Sequence, residues 1–293
     1  SIYEKIGDLY KEIKDYYKSY TYYIKAFESI RKDNIDDMAA MLILKLSNCC
    51  KLNYKYKEAL EFCKLPLKNE AFISMDIKLE LLLNKAEILM LLKEYDSSLD
   101  EIESIEEFNE ELSEEYLFTL NMLKGQCYRE NKYYRDALEV YKSLKEGDGA
   151  LDKSKILCIN INIIGIYILL RDNRNIRKHI DESLVLISSN RQLYKEKRGA
   201  EIFSGLAKGF KFISEDERAA EYYNHAIYSA KRNKQYEILT DALENLFEIF
   251  EKKKALHEVD NIKNELLELI STNAINNDNT LIFSFKNFTF HFF

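Results

Sequence analysis

The chain has 293 residues, of which 46% are hydrophobic and 32% charged, so it has enough apolar surface for a core and is not globally disordered. Its 8 Gly and 1 Pro are too few turn-forming residues for a β-sandwich, a barrel or a doubly wound sheet of this length. A net charge of −7 argues against a nucleic-acid-binding chain, because a phosphate partner requires a basic face. The composition predicts an almost entirely α-helical protein.

A pattern of five positions begins near the start of the chain and recurs along it. In its first copy Gly7 is followed by Tyr10, Tyr16, the small Ser19 and Tyr23. Successive copies lie about 39 to 42 residues apart, and the later ones become less regular. The corresponding residues are Ser47, Cys50, Tyr56, Ala59 and Cys63; Ala86, Leu89, Tyr95, Ser98 and Ile102; Gly125, Tyr128, Tyr134, Ala137 and Tyr141; Gly165 alone; and Ala207, Phe210, Ala219 and Tyr223.

This spacing predicts helical hairpins. A small residue in each of two antiparallel helices allows the helices to approach closely, and a ring fills the space beside the contact. One hairpin cannot bury its apolar face alone, so neighbouring hairpins must stack. We expect seven hairpins with about fourteen helices. Their predicted bounds are residues 1–34, 37–70, 74–110, 112–147, 151–190, 192–233 and 235–272.

The pattern resembles the tetratricopeptide repeat over roughly residues 1–272. The resemblance implies an all-α fold, a right-handed superhelix (solenoid) of about seven hairpins. The repeats here are longer than the usual length of about 34 residues and lack the proline that ends the family's repeat. Long, Pro-poor repeats rich in Tyr, Lys, Asn and Ile are similar to the sensor domains of the Rap, NprR, PlcR and PrgX type of peptide-regulated quorum-sensing receptors of Gram-positive bacteria.

In the tetratricopeptide family the first helix of each repeat lines the concave side, where extended peptides bind. The resemblance therefore implies a peptide site on these helices, with amides for the peptide backbone and Lys or Arg for carboxylates. The implied residues are Lys45, Asn48, Lys51, Asn84, Glu87, Met122, Gln126, Arg129, Asn162, Ile166, Ser204, Lys208, Lys211 and Asn245. The alternative is that Asn is simply common in this chain.

No enzyme signature is present in the sequence. It lacks a P-loop, a GxGxxG motif, HExxH and GxSxG, and its four histidines have no ligand spacing, so we expect no enzyme activity, no cofactor and no metal site. The five cysteines have no CxxC spacing and lie among apolar neighbours, which predicts small buried side chains in a reducing cytoplasm.

Charge is unevenly distributed along the chain. Residues 94–117 carry eleven Asp or Glu and no Lys or Arg, whereas residues 171–211 carry ten Lys or Arg against five Asp or Glu. Such runs are usually solvated helix faces. The alternative is that the basic run faces an acidic ligand or the acidic run of a second copy.

Residues 273–293 break the repeat pattern. An Asn-rich stretch is predicted to be a linker, and the Phe-rich segment Leu281 to Phe293 is predicted to be extended and docked, since six exposed rings would favour aggregation. Docking on the last hairpins, entry into the groove, pairing with a second chain and contact with a membrane surface are the alternatives.

Two functions fit these features. The first is a signalling-peptide sensor of a quorum-sensing transcription regulator, cytoplasmic and homodimeric, which reaches DNA only through an N-terminal module outside this chain. The second is a constitutive scaffold that holds a segment of a partner protein. No run of 18 apolar residues is present, so no membrane span is expected.

Overall fold

The computed structural model describes residues 1–30, 35–68, 73–108, 112–147, 151–190 and 192–275. Within these ranges the chain forms fourteen α-helices, one short 3-10 helix (Leu193–Lys195) and no strand, which confirms the predicted all-α fold. The prediction for the Phe-rich segment, Leu281 to Phe293, lies outside the described residues. The helices are α1 (Ile2–Glu12), α2 (Tyr16–Glu28), α3 (Asp37–Leu52), α4 (Tyr56–Leu67), α5 (Met75–Leu91), α6 (Tyr95–Glu106), α7 (Glu114–Glu130), α8 (Tyr134–Glu146), α9 (Lys153–Leu169), α10 (Asn173–Ser188), α11 (Gly199–Phe212), α12 (Asp216–Asn233), α13 (Tyr236–Lys252) and α14 (Leu256–Ile275).

The helices follow one another as hairpins, and we call the odd-numbered helix of each hairpin its first helix and the even-numbered helix its second. The chain divides into two compact units, Ser1–Val140 and Tyr141–Phe293. None of the described helices is long and apolar enough to cross a membrane.

The same tight turn joins the two helices of every hairpin. In the first, Lys14 adopts a left-handed backbone conformation with φ of 64°. Asp15 N then donates to Tyr10 O at 2.9 Å, and the Asp15 carboxylate accepts from Lys18 N at 3.0 Å to begin α2. The turn therefore ends one helix and starts the next within three residues. The left-handed residues of the seven turns are Lys14, Tyr54, Lys93, Lys132, Arg171, Ser214 and Lys254.

The predicted small residues lie where the two helices of a hairpin meet. In the first three hairpins one of the two is a buried serine, and its hydroxyl donates to the backbone carbonyl of the other. The three bonds run from Ser19 Oγ to Gly7 O at 2.9 Å, from Ser47 Oγ to Ala59 O at 2.8 Å, and from Ser98 Oγ to Ala86 O at 2.7 Å. Each bond satisfies a buried hydroxyl and holds the two backbones close together.

The ring packed beside this contact leaves no room for a larger side chain at the small position. A Cβ atom on Gly7 would lie 2.6 Å from two carbons of the Tyr23 ring, which is itself completely buried. Tyr141 and Tyr223 occupy the equivalent position in their hairpins and are also completely buried. The repeated tyrosines are thus packing residues of the hairpin core.

In the second unit the first helix α9 is buried on nearly all sides. A Cβ atom on Gly205 of α11 would lie 2.8 Å from Ile161 Cβ of α9, and one on Gly209 would lie 3.1 Å from Ile164 Cγ2. Glycine therefore allows α9 and α11 to approach closely. A helix that is apolar all round is typical of a core position.

Filling the small position should destabilise the fold. We expect Ser98→Val to lower the free energy of unfolding by about 1–3 kcal/mol, because Ser98 is completely buried and its hydrogen bond is lost. The matched control is Ser97→Val on the same helix, where the exposed side chain should change stability by less than about 0.5 kcal/mol. Urea denaturation measures both, and equal effects would contradict the close-contact role.

Candidate functional site

The predicted site residues of the first unit lie on first helices, but several bind neighbouring hairpins. Lys45 Nζ of α3 donates to Glu4 Oε1 at 2.8 Å and to Asp8 Oδ2 at 3.1 Å, both on α1. The hydrogen bond from Lys45 lowers the pKa of the Glu4 carboxyl. This lysine therefore ties the first two hairpins together.

A second tie joins α3 to α5. Lys51 Nζ donates to Asn84 Oδ1 at 2.9 Å and forms an ion pair with Glu87. Asn84 Nδ2 donates to Ser47 Oγ at 3.1 Å and to Cys63 Sγ at 3.2 Å. Only 5% of Asn84 is exposed, so its amide is part of the packing between hairpins.

The second unit repeats this arrangement on α11 and α13. Lys211 Nζ donates to Asn245 Oδ1 at 2.9 Å and to Glu248 Oε2 at 2.5 Å. Lys208 Nζ lies 2.9 Å from Asp241 Oδ2. In each unit a lysine on one first helix thus holds an amide and a carboxylate on the next.

Two other predicted residues of α9 are buried. Asn162 is 6% exposed, its Nδ2 donates to Cys158 O at 2.9 Å, and its Oδ1 accepts from Tyr141 Oη at 3.4 Å. Ile166 of the same helix is completely buried. The structure gives both a place in the packing, and their part in a ligand site stays a prediction.

Asn48 and Gln126 differ from these tied residues. Each follows the small residue of its first helix by one position, on α3 and α7. Both are half-buried, and neither forms a hydrogen bond with another described residue. Met122, one turn before Gln126, is also half-buried, and Arg129 Nη2 lies 2.9 Å from Glu130 Oε1. The first unit therefore presents two amides with free donors and acceptors.

Sequence reasoning missed an apolar position at the end of three first helices. Leu52 of α3 and Leu91 of α5 occupy the same place, five residues after the small residue, and are 37% and 36% exposed. Leu170 occupies that place in the second unit and is 46% exposed. Leucine at this position in the second, third and fifth repeats was the available signal, and exposed leucines there suit the side chains of an apolar ligand.

Glu244 of α13 was also missed. Burial raises the pKa of its carboxyl, and the nearby Asp241 and Glu248 carboxylates raise it further. Its Oε1 atom has no hydrogen-bond partner among the described residues. Nothing in the sequence distinguishes this glutamate from the many others of the chain.

Other groups that could carry chemistry are the cysteines and a cavity in the second unit. All five cysteines are buried, as predicted, and none of them forms a disulfide; burial raises the pKa of Cys158 to about 12. Within the described residues no three His, Cys, Asp or Glu side chains are placed to hold a metal ion. A cavity of about 600 Å³ near the start of α9 contains none of the predicted residues.

A polar network lies inside the second unit. Lys145 Nζ donates to Asn160 Oδ1 at 3.0 Å and to Glu182 Oε2 at 2.7 Å. His179 is 6% exposed, stacks on Tyr167 at 5.8 Å between ring centroids, and has its Nδ1 3.4 Å from Glu182 Oε2. Burial lowers the pKa of His179, and the Glu182 carboxylate opposes this only in part. The imidazole is therefore neutral at pH 7.

Comparison with known proteins supports the fold. The sequence matches no protein-family model and no characterised protein sequence. The structure is similar to NprR in complex with its cognate peptide NprX, with 18% identity, 90% of this chain and 74% of that chain covered, and a TM-score of 0.62. It is also similar to a Rap protein complexed with Competence and Sporulation Factor, with 12% identity, coverage of 96% and 78%, and a TM-score of 0.54.

A third similar structure belongs to another class of protein. It is a signal transduction ATPase with a tetratricopeptide repeat sensor from Pyrococcus horikoshii, with 16% identity and a TM-score of 0.55. The similarity covers 92% of this chain but only 46% of that chain. At such identities the likeness shows the fold. The chain has a tetratricopeptide-like repeat fold that resembles that of the quorum-sensing receptors.

Acidification should destabilise the second unit through His179. Its pKa is ordinary, 6.5, when unfolded and lower when folded, so the unfolded state binds more protons as the pH falls below 6.5. The contribution of neutral His179 to the free energy of unfolding is therefore complete above pH 6.5, and it is lost as the pH falls through the pKa of the folded state. We expect the melting temperature to fall between pH 7 and pH 5.5, and to fall less in His179→Gln. The control is His257→Gln, an exposed histidine that should keep the wild-type pH dependence. Identical profiles for all three proteins would contradict the role of His179.

Proposed function

We propose that the chain is the peptide-binding sensor domain of a quorum-sensing transcription regulator. The observation that carries the proposal is the pair of half-buried amides, Asn48 and Gln126, which form no hydrogen bond with another described residue. A side-chain amide both donates and accepts, as each backbone unit of an extended peptide does. Two such amides at equivalent places on α3 and α7 suit a peptide that crosses the first helices.

The surroundings of these amides support the same ligand. Leu52 lies on the same helix as Asn48, and Leu91 lies on the intervening α5. An extended peptide presents its backbone and its apolar side chains in alternation, so exposed leucines beside amides match both. NprR, which has a similar fold, is described in complex with its cognate peptide.

Regulation of transcription would require a DNA-binding module on the N-terminal side of Ser1. The net charge of −7 disfavours direct binding to DNA, so the repeat domain would act through that module, by a change of geometry on peptide binding. A receptor for a re-imported peptide would work in the cytoplasm.

A scaffold role is the second candidate. Lys45, Lys51, Lys208 and Lys211 all bind groups on a neighbouring first helix, which stiffens each array of hairpins. A stiff array is suited to holding a partner segment without switching. Small-angle scattering distinguishes the two, since a sensor changes its radius of gyration when peptide binds and a scaffold does not.

Peptide selection followed by substitution tests the sensor proposal. Phage panning of the chain with a random heptapeptide library should select peptides, and fluorescence polarisation should show about tenfold weaker binding of the best one to Asn48→Ala and to Gln126→Ala. Each change removes one hydrogen-bonding partner, worth about 1.4 kcal/mol. The matched control is Asn264→Ala, an exposed amide on the second helix α14.

Thermal melts of the three variants check that each is folded, since the two site amides carry no structural hydrogen bond. Failure of the library to yield a binder, or equal binding by wild type and both site variants, would contradict the proposal. Weaker binding by the α14 control would place the peptide on another face.

A further inference from the structure

The cavity of about 600 Å³ lies wholly within the second unit, between the start of α9, the end of α10 and the connection that leads to α11. Its volume is typical of a small-molecule site. The side chains that line it are all polar or charged, and none of them belongs to the predicted peptide site. The cavity therefore has a different chemistry from the surface that carries Asn48 and Gln126.

The segment that forms one wall of the cavity, residues 192–198, is packed in place. Leu193 is completely buried, and a Cβ atom on Gly199 would lie 2.1 Å from Leu193 O. Tyr194 packs against Phe203 of α11, with 4.7 Å between the ring centroids. Buried contacts before and after the wall thus fix the backbone that carries its charged side chains.

Three cations line the cavity, Lys153 of α9 and the pair Lys197 and Arg198 just before α11. Lys153 Nζ donates to Ser189 Oγ at 2.8 Å, which is an uncharged partner, and Lys197 is exposed. Neither lysine forms an ion pair with a described residue. Two positive charges at the cavity are therefore not in contact with a carboxylate.

The two carboxylates at the cavity are bonded to uncharged groups. Asp152 Oδ1 accepts from Lys155 N at 2.8 Å and begins α9, so the first amides of this helix are already occupied. Glu196 accepts from Ser154 Oγ and, at 3.3 Å, from Asn190 Nδ2. Three cations against two carboxylates give the lining an excess of one positive charge, which favours an anion.

A phosphate ester of a small hydroxylated molecule fits these groups. A phosphate monoester carries a charge of about −1.5 to −2 at pH 7, which two lysines without ion pairs match better than they match one carboxylate. The hydroxyls of Ser154 and Ser189 can still accept hydrogen bonds, and Asn190 has a second amide N–H to donate. No aromatic or aliphatic residue lines the cavity to hold a nucleobase or an acyl chain, and a phosphate ion alone would fill only a small part of it.

We propose that this cavity binds a small phosphorylated and hydroxylated molecule, whose phosphate is held by Lys153 and Lys197. The site goes beyond the proposed peptide sensor. It shares no residue with the surface on α3 and α7, so either proposal can fail without the other.

Isothermal titration calorimetry of the full chain tests the site with ribose phosphate as the probe. We expect ribose phosphate to bind at least about tenfold more tightly than ribonate, which carries one carboxylate instead, and than inorganic phosphate. Unmodified ribose should give no binding heat. The affinity for ribose phosphate should fall as the salt concentration rises, because exposed charges are screened.

Substitution of the lysines assigns the binding to the cavity. Lys153→Gln and Lys197→Gln should each weaken the binding of ribose phosphate about tenfold, because each removes a charge-assisted hydrogen bond. Lys153→Arg keeps the charge and should keep most of the affinity. The matched control is Lys195→Gln, an exposed lysine of the same segment that does not line the cavity. All four changes are on exposed side chains, so thermal melts without ligand should match that of the wild type.

A wild-type chain that does not bind ribose phosphate would overturn the proposal, and so would equal affinities of Lys197→Gln and Lys195→Gln. Ribonate or inorganic phosphate that binds as tightly as ribose phosphate would also contradict it, because the cavity would then recognise an oxyanion in general and not a phosphate ester.

Discussion

The close contact between two small residues in each hairpin is the constraint on which the rest of the structure depends. Ser47 and Ala59 show why, since a hydroxyl of one helix bonds to the backbone of the other at 2.8 Å. Helices held this close together leave no space for a larger side chain at the small positions, and the ring or sulfur beside them fills the remaining space. The contact thereby fixes the orientation of the first helix about its own axis. This orientation determines which of its residues face the next hairpin and which face solvent.

The orientation of each first helix was predictable from the sequence, because it depends on two small residues twelve positions apart in one hairpin, such as Ala86 and Ser98. The helix count and the buried tyrosines followed from it. The turns were harder to predict: each has a left-handed residue that is not glycine, such as Tyr54 or Lys93, and these residue types do not usually signal that conformation.

The candidate site was only partly predictable, for a physical reason. Lys51 and Glu87 lie 36 positions apart, and their ion pair depends on how successive hairpins stack, which the repeat pattern does not specify. Several residues chosen for their polarity, Asn84 among them, are bonded within the protein. Asn48 has the same chemistry and also lies on a first helix, three positions further along the repeat, but the structure leaves its amide unbonded within the described residues.

The contacts that stack the hairpins therefore draw on the same set of first-helix residues as the proposed peptide site. Lysines hold neighbouring first helices together. The two amides that receive no hydrogen bond from these lysines, Asn48 and Gln126, are the groups proposed to bind a peptide. If a peptide binds there, it bridges hairpins that the lysines already connect, so binding and the geometry of the array are linked. This link is what a sensor requires.

Hydrogen–deuterium exchange of the chain, with and without a selected heptapeptide, tests the proposed peptide-binding face most directly. We expect slower exchange in the first helices α3, α5 and α7, which carry Asn48, Leu91 and Gln126. Protection confined to the second helices α4, α6 and α8, or no protection by a peptide that binds, would contradict it.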